Sequence, residues 1–291
     1  MPTPDTTSSP TPPTTPPMSP PSLALLTATT LGPLADETPD VMTLHTQDAF
    51  RMFTGRAADS QTHAPAIPGG RRFAAILKSI WYLSANDNPY ADWILIRVHQ
   101  ALVILRQQMA REAVECEAEF ESLRRKGLSL SVLRSRSPAT VALGFRSPYG
   151  YATAEAIVEF DRHVRMVKTL VLKDRLSDHE GRVAIREIGR GLRALFLEPI
   201  RWERILLRED MLPLSRSDFL PGADELARQR MQMALTLLGE VPRAVFTADD
   251  APRHSQRRIT PTAAELRLLR QASLSMDAQP EPAPPPAGQL L

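Results

Sequence analysis

Cysteine is nearly missing from this sequence, since Cys116 is the only one among 291 residues. A single thiol excludes an internal disulfide framework and any zinc site built from several cysteines. The six histidines are scattered, and none forms the H-x-E, H-E-x-x-H or H-x-H spacing of a metal site. Glycine-rich phosphate loops of the G-x-x-x-x-G-K-[ST] or G-x-G-x-x-G kind are absent too. We therefore expect a protein without enzymatic activity, cofactor, metal or small-molecule substrate.

Long apolar runs are also absent. No stretch approaches 18 uninterrupted apolar residues, and the run at Leu23–Leu26 is too short for the core of a signal peptide. These features predict a cytoplasmic protein with no membrane partner.

Lysine is scarce, because only four of the 35 basic residues are lysines. The formal net charge is +2, but residues 1–50 hold five acids and no Lys or Arg. Removing those five negative charges leaves the remainder of the chain near +7. A mildly basic, arginine-biased chain is compatible with phosphate recognition, and equally with a GC-rich genome.

Proline, which is abundant, is concentrated at both ends of the chain. Residues 1–40 include the run TTSSPTPPTTPPMSPPS, and residues 276–291 include PEPAPPPAG. Such segments cannot bury enough apolar surface to offset the entropy of ordering, so both are predicted to be disordered tails. Residues 41–275 are predicted to form a single, mainly helical domain with a strand–helix–helix core at about 138–198.

Helical periodicity dominates this domain. A helix is predicted from about Arg71, and an apolar stripe from Ile94 to Leu123 continues for roughly nine turns, about 50 Å. A helix of that length forms either the spine of the domain or a coiled-coil-like dimer contact. Further helices are predicted from Tyr151, from Asp178 to a break at Pro199, over 223–238, and after Thr262.

The segment Ala139–Phe145 differs, because its apolar residues alternate as in a strand. One face would carry Val141, Leu143 and Phe145, and the outward face would carry Thr140, Ala142, Gly144 and Arg146. A lone strand leaves backbone amides and carbonyls unpaired, so it needs a partner. The partner could be its own copy in a dimer, or the segment Thr43–Gln47 of the same chain.

Several long blocks of the sequence resemble one protein family. They include LHTQDAFRMFTGR, GGRRFAAILKSIWYLSANDNPYADWILIRVHQAL, VALGFRSPYGYATAEAIVEFDRHVR, IREIGRGLRALFLEPIRW and FLPGADELARQR, within residues 41–270. They are similar to the AcaB-like proteins of integrating conjugative elements, which are transcriptional activators of conjugation. The resemblance implies a homodimeric regulator, distantly ribbon-helix-helix-like, in which strand 139–145 pairs with its own copy and enters the major groove of double-stranded DNA.

This resemblance leads to a predicted DNA-binding surface. Thr140 and Arg146 leave the strand on one face and are the candidates for base contacts. Five more arginines, before the strand and before the last helix, are candidates for phosphate contacts: Arg134, Arg136, Arg253, Arg257 and Arg258. The small outward residues of the strand would equally allow another element of the protein to pack there. The alternative function is a non-enzymatic structural or adaptor component of the conjugative DNA-processing or transfer machinery.

Overall fold

The computed structural model describes residues 38–58, 61, 65–257 and 262–277, with side chains described as far as residue 272. Most of the predicted tails and Arg258 lie outside these ranges. Within them the chain is mainly helical, as predicted, with one small two-stranded antiparallel sheet. The strands are β1 (Val41–Leu44) and β2 (Ala139–Ala142). The helices are α1 (Gln47–Thr54), α2 (Gly70–Leu83), α3 (Pro89–Arg125), α4 (Pro148–Leu172), α5 (Asp178–Leu206), α6 (Glu225–Leu238), α7 (Arg243–Phe246) and α8 (Ala263–Asp277).

The core lies between α2, α3, α4 and α5, each of which contacts the other three. Helix α3 has 37 residues, and at 1.5 Å per residue it is about 55 Å long. Its apolar stripe is buried between Ile94 and Met109 but is mostly half-exposed beyond that point. The first half of α3 is therefore the predicted spine. None of the helices in the described ranges is both long enough and apolar enough to cross a membrane.

Strand β2 pairs with β1 of the same chain, in the register Val41 with Ala142 and Thr43 with Thr140. This is the intrachain alternative left open by the sequence, so a ribbon formed with a second copy is not confirmed. The predicted alternation is confirmed, because Thr140 and Ala142 are exposed whereas Val141 is partly buried against the core. Regular strand geometry ends at Ala142 rather than Phe145.

The buried carboxylate of Asp161 fixes the turn between β1 and α1. Its Oδ1 accepts hydrogen bonds from His45 N at 2.9 Å, Thr46 N at 2.8 Å and Thr46 Oγ1 at 2.9 Å. Thr46 Oγ1 in turn accepts from Ala49 N and caps α1. Because Asp161 belongs to α4, β1 and α1 are anchored on that helix.

The predicted break of α5 at Pro199 is wrong, since the helix continues to Leu206. A proline inside a helix removes one amide donor and strains one turn. Here Phe196 before the proline and Trp202 and Leu206 after it are all buried. Burial on both sides stabilises the continuous helix more than the missing bond destabilises it.

Arg216 anchors the chain after α5 to the helical core, and its side chain is 1% exposed. Its guanidinium donates to Asp87 Oδ1 at 2.6 Å and to Asp92 Oδ2 at 2.9 Å. It also donates to the carbonyl oxygens of Phe246 at 2.7 Å and Val245 at 2.6 Å. The corner between α2 and α3, which carries both aspartates, is thereby tied to α7.

Candidate nucleic-acid interface

The outer face of the β1–β2 ribbon is small and uncharged. It presents Val41 and Thr43 of β1 beside Thr140 and Ala142 of β2, and all four are exposed. Leu143 N donates to Asp40 O at 2.7 Å. Because hydrogen-bonded pairs alternate along an antiparallel ladder, the next such pair is Met42 with Val141. The amides of Thr140 and Ala142 therefore point to the edge of β2 that faces away from β1. No hydrogen bond to those two amides occurs among the described residues.

Aromatic packing after β2 fixes where Arg146 leaves the ribbon. The Phe145 ring lies so close to Gly150 that a Cβ there would be 2.4 Å from Phe145 Cγ. The same ring makes an edge contact with Tyr151, at 5.9 Å between centroids, and Tyr151 Oη donates to Asp40 Oδ2 at 2.5 Å. Arg146 is therefore exposed between Phe145, whose ring is fixed by these contacts, and the start of α4.

Arg134 and Arg136 lie in the irregular segment between α3 and β2, and both are exposed. That segment is attached to α4, because Leu133 N donates to Thr169 Oγ1 at 2.9 Å. Arg134, Arg136 and Arg146 have no carboxylate partner among the described residues, although ion pairs are common elsewhere in the chain, for example Arg72 with Glu203. The structure thus keeps three predicted site residues exposed and available to an anion.

Arg253 is also exposed, at the rim of a groove of about 780 Å³ between β1, α3 and the start of α4. Val41 and Thr43 line the same groove, so Arg253 lies beside the ribbon although it is distant in sequence. Burial lowers the pKa of His99 in this groove, and the positive charge of Arg253 lowers it further.

Arg257 is mostly buried, in contrast to the other predicted site arginines that the structure describes. Its side chain is 16% exposed and points inward, with Nε 3.1 Å from Asp87 Oδ1 and Nη2 paired with Asp92. Two buried carboxylates attract a nearby guanidinium more strongly than solvent does, so Arg257 joins Arg216 in one ion network. The predicted phosphate contact by Arg257 stays a prediction, and the structure shows this guanidinium paired with two carboxylates of its own chain.

Sequence reasoning also missed a group of exposed arginines on α5 and near α1. On α5 they follow a spacing of four, four and three residues: Arg182, Arg186, Arg190 and Arg193. This spacing places them on one helix face, a signal that could have been found in the sequence. Arg51 and Arg56 lie across a groove of about 510 Å³ that Arg186 and Arg193 also line.

Comparison with known protein families defines the class of this protein as a transcriptional regulator. The family is the one described as "Transcriptional regulator AcaB", which matches residues 30–258, and the chain belongs to it. The predicted family membership is confirmed. Among solved structures the chain is similar to selenomethionine-containing AcaB from uropathogenic E. coli, at 13% identity and a TM-score of 0.42, covering 73% of this chain and 95% of that chain. A search of curated proteins found no match.

Proposed function

We propose that this chain is a DNA-binding regulator that activates the conjugative transfer genes of an integrating conjugative element. The observation that carries the proposal is the match to a transcriptional-regulator family over residues 30–258. The exposed ribbon, beside arginines that have no carboxylate partner within the described part of the chain, supplies a surface that suits DNA.

On this proposal Thr140 and Arg146 contact bases. A threonine methyl suits the thymine methyl, and a guanidinium pairs with the O6 and N7 atoms of guanine. Small residues at Thr43, Thr140 and Ala142 allow the backbone of the ribbon to approach the floor of a groove closely. Arg134, Arg136, Arg253 and Arg258 would contact phosphates, which position the protein without reading sequence.

The functional unit would be a homodimer. The amides of Thr140 and Ala142 on the outer edge of β2 are free to pair with the same edge of a second copy, which would join two ribbons into a four-stranded sheet. Intrachain pairing with β1 and pairing between copies use opposite edges of β2, so they are compatible. Sedimentation at micromolar concentration should give twice the monomer mass, whereas a strict monomer refutes this arrangement.

The central experiment titrates the purified protein with promoter DNA from its own element and with an unrelated duplex of equal length. Arg146→Ala should reduce the preference for the promoter by about 1–3 kcal/mol, or roughly 5- to 150-fold. Replacing Arg134 and Arg136 with Ala should weaken both duplexes alike and make the salt slope shallower by roughly two units. The matched control is Arg228→Ala, an exposed arginine already paired with Glu225. Equal binding of the two duplexes by the unmodified protein would contradict the proposal.

A further inference from the structure

The arginine face of α5 forms a continuous basic row. Arg182, Arg186, Arg190 and Arg193 are all exposed, and Val183 beside them is 43% exposed. Eleven residues separate the first arginine from the last, which corresponds to roughly 16 Å along the helix. Successive side chains on this face are therefore about 5–6 Å apart.

A second basic element faces this row across a groove. Arg51 of α1 and Arg56, just after Gly55, line the groove together with Arg186 and Arg193. Its apolar floor includes Met52, Phe160, Ile185 and Gly189. A Cβ at Gly189 would be 3.4 Å from Arg193 Nη2 and 3.6 Å from Met52 Cε, so the Arg193 guanidinium lies over this floor.

These six arginines, which we call the α5 basic surface, lack carboxylate partners among the described residues: Arg51, Arg56, Arg182, Arg186, Arg190 and Arg193. Asp48 also lines the groove, and its carboxylate is paired with Lys168 at 2.6 Å.

Two of the five acids of α5, Asp178 and Glu180, lie in its first turn, one turn before Arg182, and Glu180 there accepts hydrogen bonds from Ser177. The other three lie further along the helix. Glu198 pairs with Arg97 of α3 at 2.6 Å, and Glu203 pairs with Arg72 of α2 at 2.5 Å. Glu187 has no ion-pair partner among the described residues, and its charge adds to the burial that raises the pKa of Glu112 of α3. None of the five carboxylates pairs with the arginine row among the described residues, so Arg186, Arg190 and Arg193 keep a concentrated positive field.

Such a field costs folding free energy through self-repulsion and attracts polyanions. A compact anion would use only the four arginines that line the groove, whereas Arg182 and Arg190 extend the surface along the helix. Roughly 16 Å corresponds to about five base pairs of duplex at 3.4 Å per base pair, with phosphates along that whole length. An extended, regularly charged ligand fits the row better than a single phosphate does.

We propose that the α5 basic surface binds the phosphate backbone of duplex DNA, as a contact surface separate from the ribbon. The identity of the ligand as DNA rests on the proposed function, and the location of the surface does not. Arginines on a helix face contact phosphates without reading base edges, so this surface adds affinity for any sequence. It also makes binding more dependent on salt.

The test uses the full chain with Arg186, Arg190 and Arg193 replaced together by Ala. The matched control replaces Arg124, Arg208 and Arg228 by Ala, which removes the same charge from exposed arginines that are already ion-paired. Both are titrated with promoter duplex and unrelated duplex from 50 to 200 mM salt. We expect the α5 variant to bind both duplexes at least tenfold more weakly, with a salt slope shallower by two to three units and an unchanged preference for the promoter. Its melting temperature should equal or exceed that of the control, because like charges are removed.

The outcomes separate this inference from the proposed function. If the unmodified protein prefers its promoter but the α5 variant has the same salt slope as the control variant, the α5 basic surface does not bind DNA and the proposed regulator function stands. If the unmodified protein shows no preference while the α5 variant still loses slope, the surface binds duplex and the proposed regulator role fails. Tighter binding of poly-glutamate than of duplex at equal charge would overturn the inference in favour of an acidic protein partner.

Discussion

Replacing Arg216 with Met should destabilise the protein more than any exposed arginine replacement. The guanidinium is 1% exposed and Asp92 is fully buried, so both charges have left water and compensate each other. Methionine fills a similar volume but leaves buried carboxylates with only Arg257 as a partner. Breaking a buried ion pair in this way costs about 3–5 kcal/mol. For a domain of this size, the melting temperature should fall by roughly 6–20 °C.

Urea unfolding and thermal melting measure this effect, with two comparisons. Arg257→Met should cost less than half as much, because Arg216 still pairs with both aspartates. Adding Asp92→Asn to Arg216→Met should recover part of the loss, since it removes a buried unpaired charge. A melting temperature for Arg216→Met within 2 °C of the unmodified protein would refute the reasoning.

The pH dependence gives a further check on the same variant. Burial raises the pKa of Asp87 above its ordinary value of 3.8, although the positive charges of Arg216 and Arg257 oppose the shift. Without Arg216 the pKa should rise more. A carboxyl whose pKa is higher in the folded state than in the unfolded state binds more protons when folded. The stability lost by keeping it charged is therefore largest above the folded-state pKa, and it decreases as the pH falls through that pKa. The difference in unfolding free energy between the two proteins should therefore narrow as the solution is acidified.

Two other predictions concern buried packing. Burial lowers the pKa of His163 below its ordinary value of 6.5, so folding favours the neutral imidazole over the charged one. The unfolded state should bind more protons than the folded state below about pH 6.5, so the free energy of unfolding should fall as the pH drops from there through the folded-state pKa. His163→Leu should remove that part of the pH dependence of unfolding. Gly150→Ala should displace the Phe145 ring, because the new Cβ would be 2.4 Å from Phe145 Cγ, and should cost about 1–3 kcal/mol in urea unfolding. Gly144→Ala, which meets nothing within 4 Å, is its control and should have little effect.

Local signals in the sequence were sufficient to predict much of the helical framework. Ser177 and Glu180 form the predicted capping box at the start of α5, with both reciprocal bonds present. The apolar stripe from Ile94 onward predicted α3. Caps and periodic stripes are local signals, because the residues that form them lie within a few turns of each other. The α6 boundary shifted by only two residues, because Asp224 caps the helix at Glu225 instead of 223.

Contacts between distant residues could not be predicted in the same way. A four-residue strand such as β1 can pair with any other strand, and nothing in its residues identifies β2 as its partner. Arg257 and Arg146 are equally ordinary arginines in the sequence. One is buried against Asp92 and the other is exposed, and only the position of α3 beside the later loop decides this. The α5 basic surface has a recognisable spacing, but the orientation of the acids around it depends on the fold.

The long separation between β1 and β2 has a consequence during synthesis. Strand β1 leaves the ribosome about 100 residues before its partner, and at 5–20 residues per second it waits roughly 5–20 s for β2. Asp161, which holds the turn after β1, follows later still. During that interval β1 has no strand partner, and Met42 and Leu44 lack the contacts that bury them in the folded protein. Exposed apolar surface and unpaired strand edges favour aggregation, so we expect the nascent chain to be most prone to aggregation at this stage.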